Sequence, residues 1–137
     1  MLPARHRLRT AADFAAAVRG SGGARSGGRL LVVHGRLTGR YASAPGLAGR
    51  LAPARAGFVV SKAVGGAVTR NRTKRVLRHL VATRLTRIPD GCDLVVRANP
   101  AAASATTPEL AAELDRSLDS VLRRLETVSH TPAAVPS

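Results

Sequence analysis

Between Val68 and Leu80 the sequence reads VTRNRTKRVLRHL, with five Lys/Arg residues and His79 in thirteen positions and no acid among them. Like charges this close repel one another, so folding alone gives no reason for them. Holding a negative partner does: Arg70, Arg72, Lys74, Arg75 and Arg78 have the chemistry of phosphate contacts. Asn71 can both donate and accept, so it suits a base edge or a 2′-OH as well as a phosphate; near a helix start it could equally act as a cap. Just before this run, SKAVGG supplies Lys62 and the pair Gly65–Gly66, which permits close approach of a phosphate to the backbone. The order Gly-x-x-x-x-Gly-Lys-Ser/Thr is absent, which argues against nucleotide hydrolysis.

Side chains that could carry out catalysis are poorly placed. No close set of carboxylates could hold a pair of Mg²⁺ ions. Asp13 is alone in the basic half, and Asp90 and Asp93 fall at a turn and a strand start, where capping accounts for them. His6, His34, His79 and His130 lack ligand spacing. Ser61 and Lys62 are neighbours on a strand and point to opposite faces. Cys92 is the single cysteine, so it forms no intrachain disulfide or thiolate cluster, and it reads as a buried strand residue.

The charge distribution extends the pattern of the basic run. The net charge is +14, and 18 of the 22 Lys/Arg residues precede Asp90, accompanied only by Asp13. The remaining residues carry 4 Lys/Arg and 7 acids. So one-sided a field points to a polyanion, with nucleic acid as the natural candidate. An anionic membrane surface fits less well, because no segment joins a basic face to bulky Trp, Phe or Leu anchors. The preference for Arg over Lys, 20 to 2, is what an Ala/Arg-rich genome would give; the missing acids are not explained that way. No apolar run approaches a membrane span and no secretory h-region opens the chain, so the cytoplasm is the expected location.

These residues need elements to position them. The length of 137 residues suits one domain, predicted over residues 1–128, and the core must be aliphatic because the aromatics are Phe14, Tyr41 and Phe58. A helix is predicted over Ala11–Arg19, with Thr10 as N-cap and Asp13 three residues on, and with Phe14 and Val18 sharing a face. The Gly20–Gly28 stretch should break it. Arg29–Leu37 reads as a strand in which Leu30, Val32 and His34 point one way and Leu31 and Val33 the other. Thr38–Ala54 reads as a long loop, and Arg55–Ser61 as a second strand with Phe58 and Val60 in the core. The Arg-rich helix is predicted from about Val68 to Leu85. Cys92–Ala98 reads as a third strand. A last helix follows, opened by a capping box at Thr106 and Glu109 and carrying Leu110, Leu114, Leu118, Val121, Leu122 and Leu125 on one face. Residues 129–137 read as a disordered tail. The order is that of an α+β or α/β protein with a small sheet and a βαβ unit around the basic helix.

Projected at 100° per residue, Thr73, Val76, Leu77, Leu80 and Val81 of that helix share one sector. Asn71, Arg72, Lys74, Arg75 and Arg78 occupy the other, and Arg70 lies at the border. Arg84 lands in the apolar sector, from which its head is expected to snorkel to water. A solvated face would normally mix both charge signs. Here no acid forms i,i+4 pairs, and cations near the N-terminus oppose the helix dipole. An anionic partner would remove both penalties.

RAGFVVSKAVGGAVTRNRTKRVLRHL, Arg55 to Leu80, resembles the signature region of the bacterial ribonuclease P protein subunit family. That family has a Gly-φ-x-Val-Ser-Lys strand (φ, an apolar residue), a Gly-x-Ala-Val turn and an Arg-Asn-Arg helix continuing into Lys-Arg. The counterparts here are Gly57–Lys62, Gly65–Val68, Arg70–Arg72 and Lys74–Arg75. RLRTAADFAAAVRGS (Arg7 to Ser21) resembles the family's first helix, and CDLVVRANPAA (Cys92 to Ala102) its strand after the basic helix. The resemblance spans roughly Arg5 to Leu125. KAVGG differs from the family's usual Lys-Lys-φ-Gly-Asn, so contacts at the positions of Ala63 and Gly66 are not carried over.

The resemblance implies one α+β domain in the order αβββαβα, a sheet of about four strands with three helices and a left-handed βαβ crossover. The fourth strand is expected around the long loop. The implied function is that of the ribonuclease P protein subunit, part of an endoribonuclease that removes the 5′ leader from precursor tRNA. Catalysis then belongs to the RNA subunit with Mg²⁺; the protein contributes no catalytic side chain, binds no metal and needs no protein partner. Lys62, Arg70, Asn71, Arg72, Lys74, Arg75 and Arg78 would contact the catalytic RNA. Phe14, Val18 and His34 match positions of a leader-binding cleft, although the first two also suit a core and His34 a surface strand. The alternatives are a ribosomal or ribosome-associated RNA-binding protein, a helix-turn-helix DNA regulator and a stand-alone nuclease. A strand before the basic helix disfavours the second, and the missing carboxylates disfavour the third.

Overall fold

Residues 2–19, 23–38 and 51–130 are described in the computed structural model of the chain. Of the predicted long loop Thr38–Ala54, residues 39–50 lie outside the described residues, as do residues 131–137 of the tail predicted over 129–137; residues 129 and 130 instead continue the last helix. The elements are α1 (Ala11–Arg19), β1 (Gly23–Gly27), β2 (Leu31–Leu37), β3 (Arg55–Val59), α2 (Ala67–Ala82), β4 (Cys92–Ala98) and α3 (Thr107–His130), with three short 3₁₀ turns between them. The strands form one sheet in the order β1-β2-β4-β3. β2 is antiparallel to β1 and β4, whereas β3 is parallel to β4 and joined to it through α2, the expected βαβ unit.

The fourth strand lies in the stretch read as a helix breaker rather than around the long loop. Gly23–Gly27, GARSG, has no apolar alternation to announce it. It is a strand because β2 offers a ladder and α3 a surface: Ala24 packs on the core, and Arg124 Nη1 donates to the Arg25 carbonyl at 2.6 Å.

Period two divides the sheet into two faces. Leu31 and Val33 of β2 and Leu94 and Val96 of β4 are fully buried against α2 and α3. α2 contributes Leu77, Leu80 and Val81 to this core, and α3 contributes Leu114, Leu118, Val121 and Leu125. Each such side chain stabilises the fold by about 1.5–3 kcal/mol through burial. The predicted capping box on α3 is reciprocal: Glu109 N donates to Thr106 Oγ1 at 3.2 Å and Thr106 N to Glu109 Oε1 at 2.8 Å. Those bonds hold the Glu109 carboxyl below its ordinary pKa.

A buried acid ties α3 to the sheet. Glu113, 6% exposed, accepts the backbone N–H groups of Leu30 and Leu31 on one oxygen, at 2.7 and 2.5 Å. Its carboxylate fills the space where a side chain on Gly28 would stand, 2.7 Å from an ideal Cβ there.

Arg84 departs from its expected exposure. α2 ends at Ala82, before the helical projection would have continued, and the turn aims the Arg84 guanidinium at α3. Nε and Nη2 meet the two Asp115 oxygens at 2.6 and 3.0 Å, and Nη1 donates to the Leu80 carbonyl. Arg87 joins Asp115 and Asp119 in the same network. The acids of the C-terminal half thus neutralise Arg84 and Arg87 just after α2, and among the described residues no carboxylate pairs with the cations of α2 itself.

Candidate nucleic-acid interface

The basic helix presents the two sectors expected of it. Thr73, Leu77, Leu80 and Val81 are buried, while Asn71, Arg72, Arg75 and Arg78 are exposed. Asn71, Lys74, Arg75, Arg78 and His79 line one open depression of about 470 Å³. Arg72 lies apart on the adjoining flank, where Nη2 donates to the Ala103 carbonyl at 3.2 Å. Arg70, at the border, is half-buried, with its Nε shielded from water and unpartnered. Lys62 is exposed in the turn that leads into the helix. At the helix start Gly66 offers no side-chain cap and the first turn holds no acid, so the positive end of the dipole and the cations add together. The surface is built to receive negative charge.

The other face of the sheet carries α1. Three cross-strand rows follow from the register: Gly23–Arg36–Asp93–Arg55, Arg25–His34–Val95–Gly57 and Gly27–Val32–Arg97–Val59. Ala17 of α1 packs on Val95 in a small cluster with Leu8, and the Phe14 ring lies directly over Gly57. An added Cβ at Gly57 would overlap that ring, so glycine is what lets α1 come down on β3. Asp13 reaches to the first row, where it pairs with Arg55 at 3.1 Å. Around the helix Phe14 and Val18 are turned about 100° and 140° from Asp13, and Phe14 joins Val59 of the third row against the Ala17–Val95 cluster. Val18 is 38% exposed and Phe14 half-buried. Phe14 and Val18 thus stand on the same side of the sheet as that row and the buried His34, and the sheet surface beside α1 is the candidate groove. Beside β3, Phe14, Gly57, Phe58, Lys74 and Arg78 border a cleft of about 210 Å³ between α1 and the basic helix.

Electrostatics separate these cations into paired and free. Arg55 is clamped by Asp93, with Nε and Nη2 at 3.0 and 2.7 Å from the two carboxylate oxygens. The bond to Asp93 raises its pKa further. Asp93 is 3% exposed, so it acts as a buried partner and not as the strand cap expected from its position. His34, 7% exposed, has its pKa lowered by burial, then by Arg25 and Arg97. It is therefore a neutral ring at pH 7. Cys92 is fully buried, and burial pushes its thiol up to about 12, which makes it inert. Among the described residues no group of His, Cys, Asp and Glu could hold a metal ion, and no helix is long and apolar enough to cross a membrane.

A family model described as Ribonuclease P matches residues 2–122. The chain belongs to the ribonuclease P protein family. Curated relatives named ribonuclease P protein component support the same membership. That of Streptomyces bikiniensis is 53% identical over 122 residues, covering 89% of this chain and 96% of the relative. That of Kocuria rhizophila is 50% identical over 125 residues, covering 90% and 98%. Among solved structures, the RNase P protein of Staphylococcus aureus aligns with a TM-score of 0.66 at 26% identity, over 83% of this chain and 93% of that one. The RNase P protein of Thermotoga maritima aligns with a TM-score of 0.64 at 25% identity, over 87% and 97%.

Seen as a ribonuclease P protein, the chain holds more groove cations than the sequence reading named. Arg97 was legible, since CDLVVRA alternates and sets Arg97 with Val95 opposite Leu94 and Val96. Arg25 was not, because the strand carrying it has no pattern of its own.

Proposed function

We propose that this chain is the protein subunit of a ribonuclease P ribonucleoprotein. In this role it assists the catalytic RNA in removing the 5′ leader of precursor tRNA, as one RNA-binding domain over residues 1–128. The observation that carries the reading is the acid-free cationic face of α2, in a chain whose family match spans residues 2–122. Arg70, Asn71, Arg72, Lys74, Arg75 and Arg78, with Lys62 in the turn before them, would neutralise phosphates where segments of the catalytic RNA crowd together. Each phosphate contact releases counterions, so assembly should weaken steeply with salt. The groove of Phe14, Val18 and His34 would hold the single-stranded leader. There the half-buried Phe14 ring offers a flat surface to bases of any sequence, while the His34 ring is buried in the sheet below and offers none. Lys74 and Arg78 stand where the two RNAs would come together.

The residues present do not fit a Mg²⁺ site: Asp13 and Asp93 are engaged by Arg55, and Asp115 and Asp119 by Arg84 and Arg87. Mg²⁺ held by the RNA subunit would supply the hydrolytic chemistry, and the protein side chains position and neutralise.

Reconstitution tests the proposal. Purified protein, the candidate catalytic RNA and a precursor tRNA are mixed at moderate Mg²⁺, and 5′ cleavage is followed. Cleavage should be faster with protein than with RNA alone. Cleavage by the protein without RNA, or no stimulation by it, would refute the reading.

A further inference from the structure

The groove floor contains a cation with no carboxylate partner among the described residues. Arg97 is the β4 member of the row Gly27–Val32–Arg97–Val59, so its cross-strand neighbours on that face are valines. It is exposed, and among the described residues no carboxylate pairs with it. The acid nearest along its own strand and face, Asp93, is buried and clamped on Arg55. An arginine between two valines on a sheet face gains nothing from the fold: it extends its stem over apolar surface and offers its guanidinium to whatever enters the groove. Arg25 stands at the β1 end, one row over, and its own side chain likewise meets no carboxylate among the described residues. From strand spacing and rise, the Cα atoms of the two arginines are on the order of 12 Å apart, diagonally across the sheet. The buried His34 ring lies between them, with Arg25 as its β1 partner.

We propose that Arg97, supported by Arg25, holds the phosphate backbone of the precursor's single-stranded leader in the groove, and thereby positions the bases against Phe14 and Val18. The inference rests on the reading of the groove as the leader site. Arg97 sits on β4, one strand from the β3 glycine that Phe14 covers and two strands from the β1 edge, so a strand crossing that face meets it whatever its sequence. The contribution is to affinity for the leader and not to cleavage chemistry, which makes Arg97 a positioning residue. Burial lowers the proton affinity of His34 most, and the charges of Arg25 and Arg97 lower it further.

The test compares reconstituted holoenzymes carrying wild-type protein, Arg97→Ala or Arg97→Lys. Each is titrated with a precursor tRNA bearing a leader long enough to cross the groove and with the same tRNA lacking a leader. Arg97→Ala should weaken binding of the leader-bearing RNA roughly tenfold, and its log–log salt slope should become shallower by about 0.7, the value for one single-strand phosphate. Binding of the leaderless RNA should not change, and Arg97→Lys should retain most of the affinity. Equal loss on both substrates, no loss on either, or a lysine variant as weak as alanine would overturn the assignment. If wild-type holoenzyme itself failed to distinguish the two RNAs, the groove would not be the leader site and the proposal would fall with that reading.

Discussion

Replacing Lys74, Arg75 and Arg78 together by alanine is expected to lower affinity for the catalytic RNA by about two to three orders of magnitude at low salt, with melting temperature nearly unchanged. The three residues line one depression and contribute no ion pair to the fold among the described residues. Each exposed contact contributes about 1–1.5 kcal/mol net and every tenfold in affinity is about 1.4 kcal/mol, so losing three of them gives the stated range. The log–log salt slope should become shallower by about 2, from three phosphates at about 0.7 each. Stability should hold because alanine is the best helix former and mutual repulsion between the three cations is removed. Filter binding over a salt series, beside thermal melts, reads both quantities. Parallel losses of binding and stability would mean that the face is structural.

The largest effect on the fold is expected from Glu113→Ala. The buried carboxylate accepts two backbone N–H groups at the start of β2 on one oxygen. Leaving two buried donors unsatisfied costs roughly 2–5 kcal/mol, out of a total stability of about 5–15 kcal/mol for a domain of this size. Glu113→Gln keeps an acceptor oxygen and should lose about half as much. Urea unfolding of the three proteins measures the order; a Gln variant as unstable as Ala would show that charge, and not the acceptor, is what matters there.

How far the sequence reaches can be judged from these residues. The faces of α2 were legible because one helix carries both the apolar stripe and the cations, and 100° per residue separates them without tertiary information. Likewise the reciprocal Thr106–Glu109 cap depends on residues three apart. β1 was hidden because its pairing comes from β2 and its support from α3, both distant in sequence. Glu113, Asp93 and Arg84 were misjudged or passed over for the same reason: their partners lie 83, 38 and 31 residues away. The groove needed both kinds of information. Phe14 and Val18 share a helical face by spacing, but only the sheet register brings His34, Arg25 and Arg97 opposite them.

The account places two RNAs on two surfaces of one small domain, and site-directed crosslinking tests that placement most directly. Cys92 is fully buried and its thiol is inert, so a new exposed cysteine can be labelled selectively. A photocrosslinker attached at Val18→Cys should join the protein to the 5′ leader of precursor tRNA in the holoenzyme, and the same reagent at Arg75→Cys should join it to the catalytic RNA. Leader crosslinks from Arg75→Cys together with catalytic-RNA crosslinks from Val18→Cys would contradict the account.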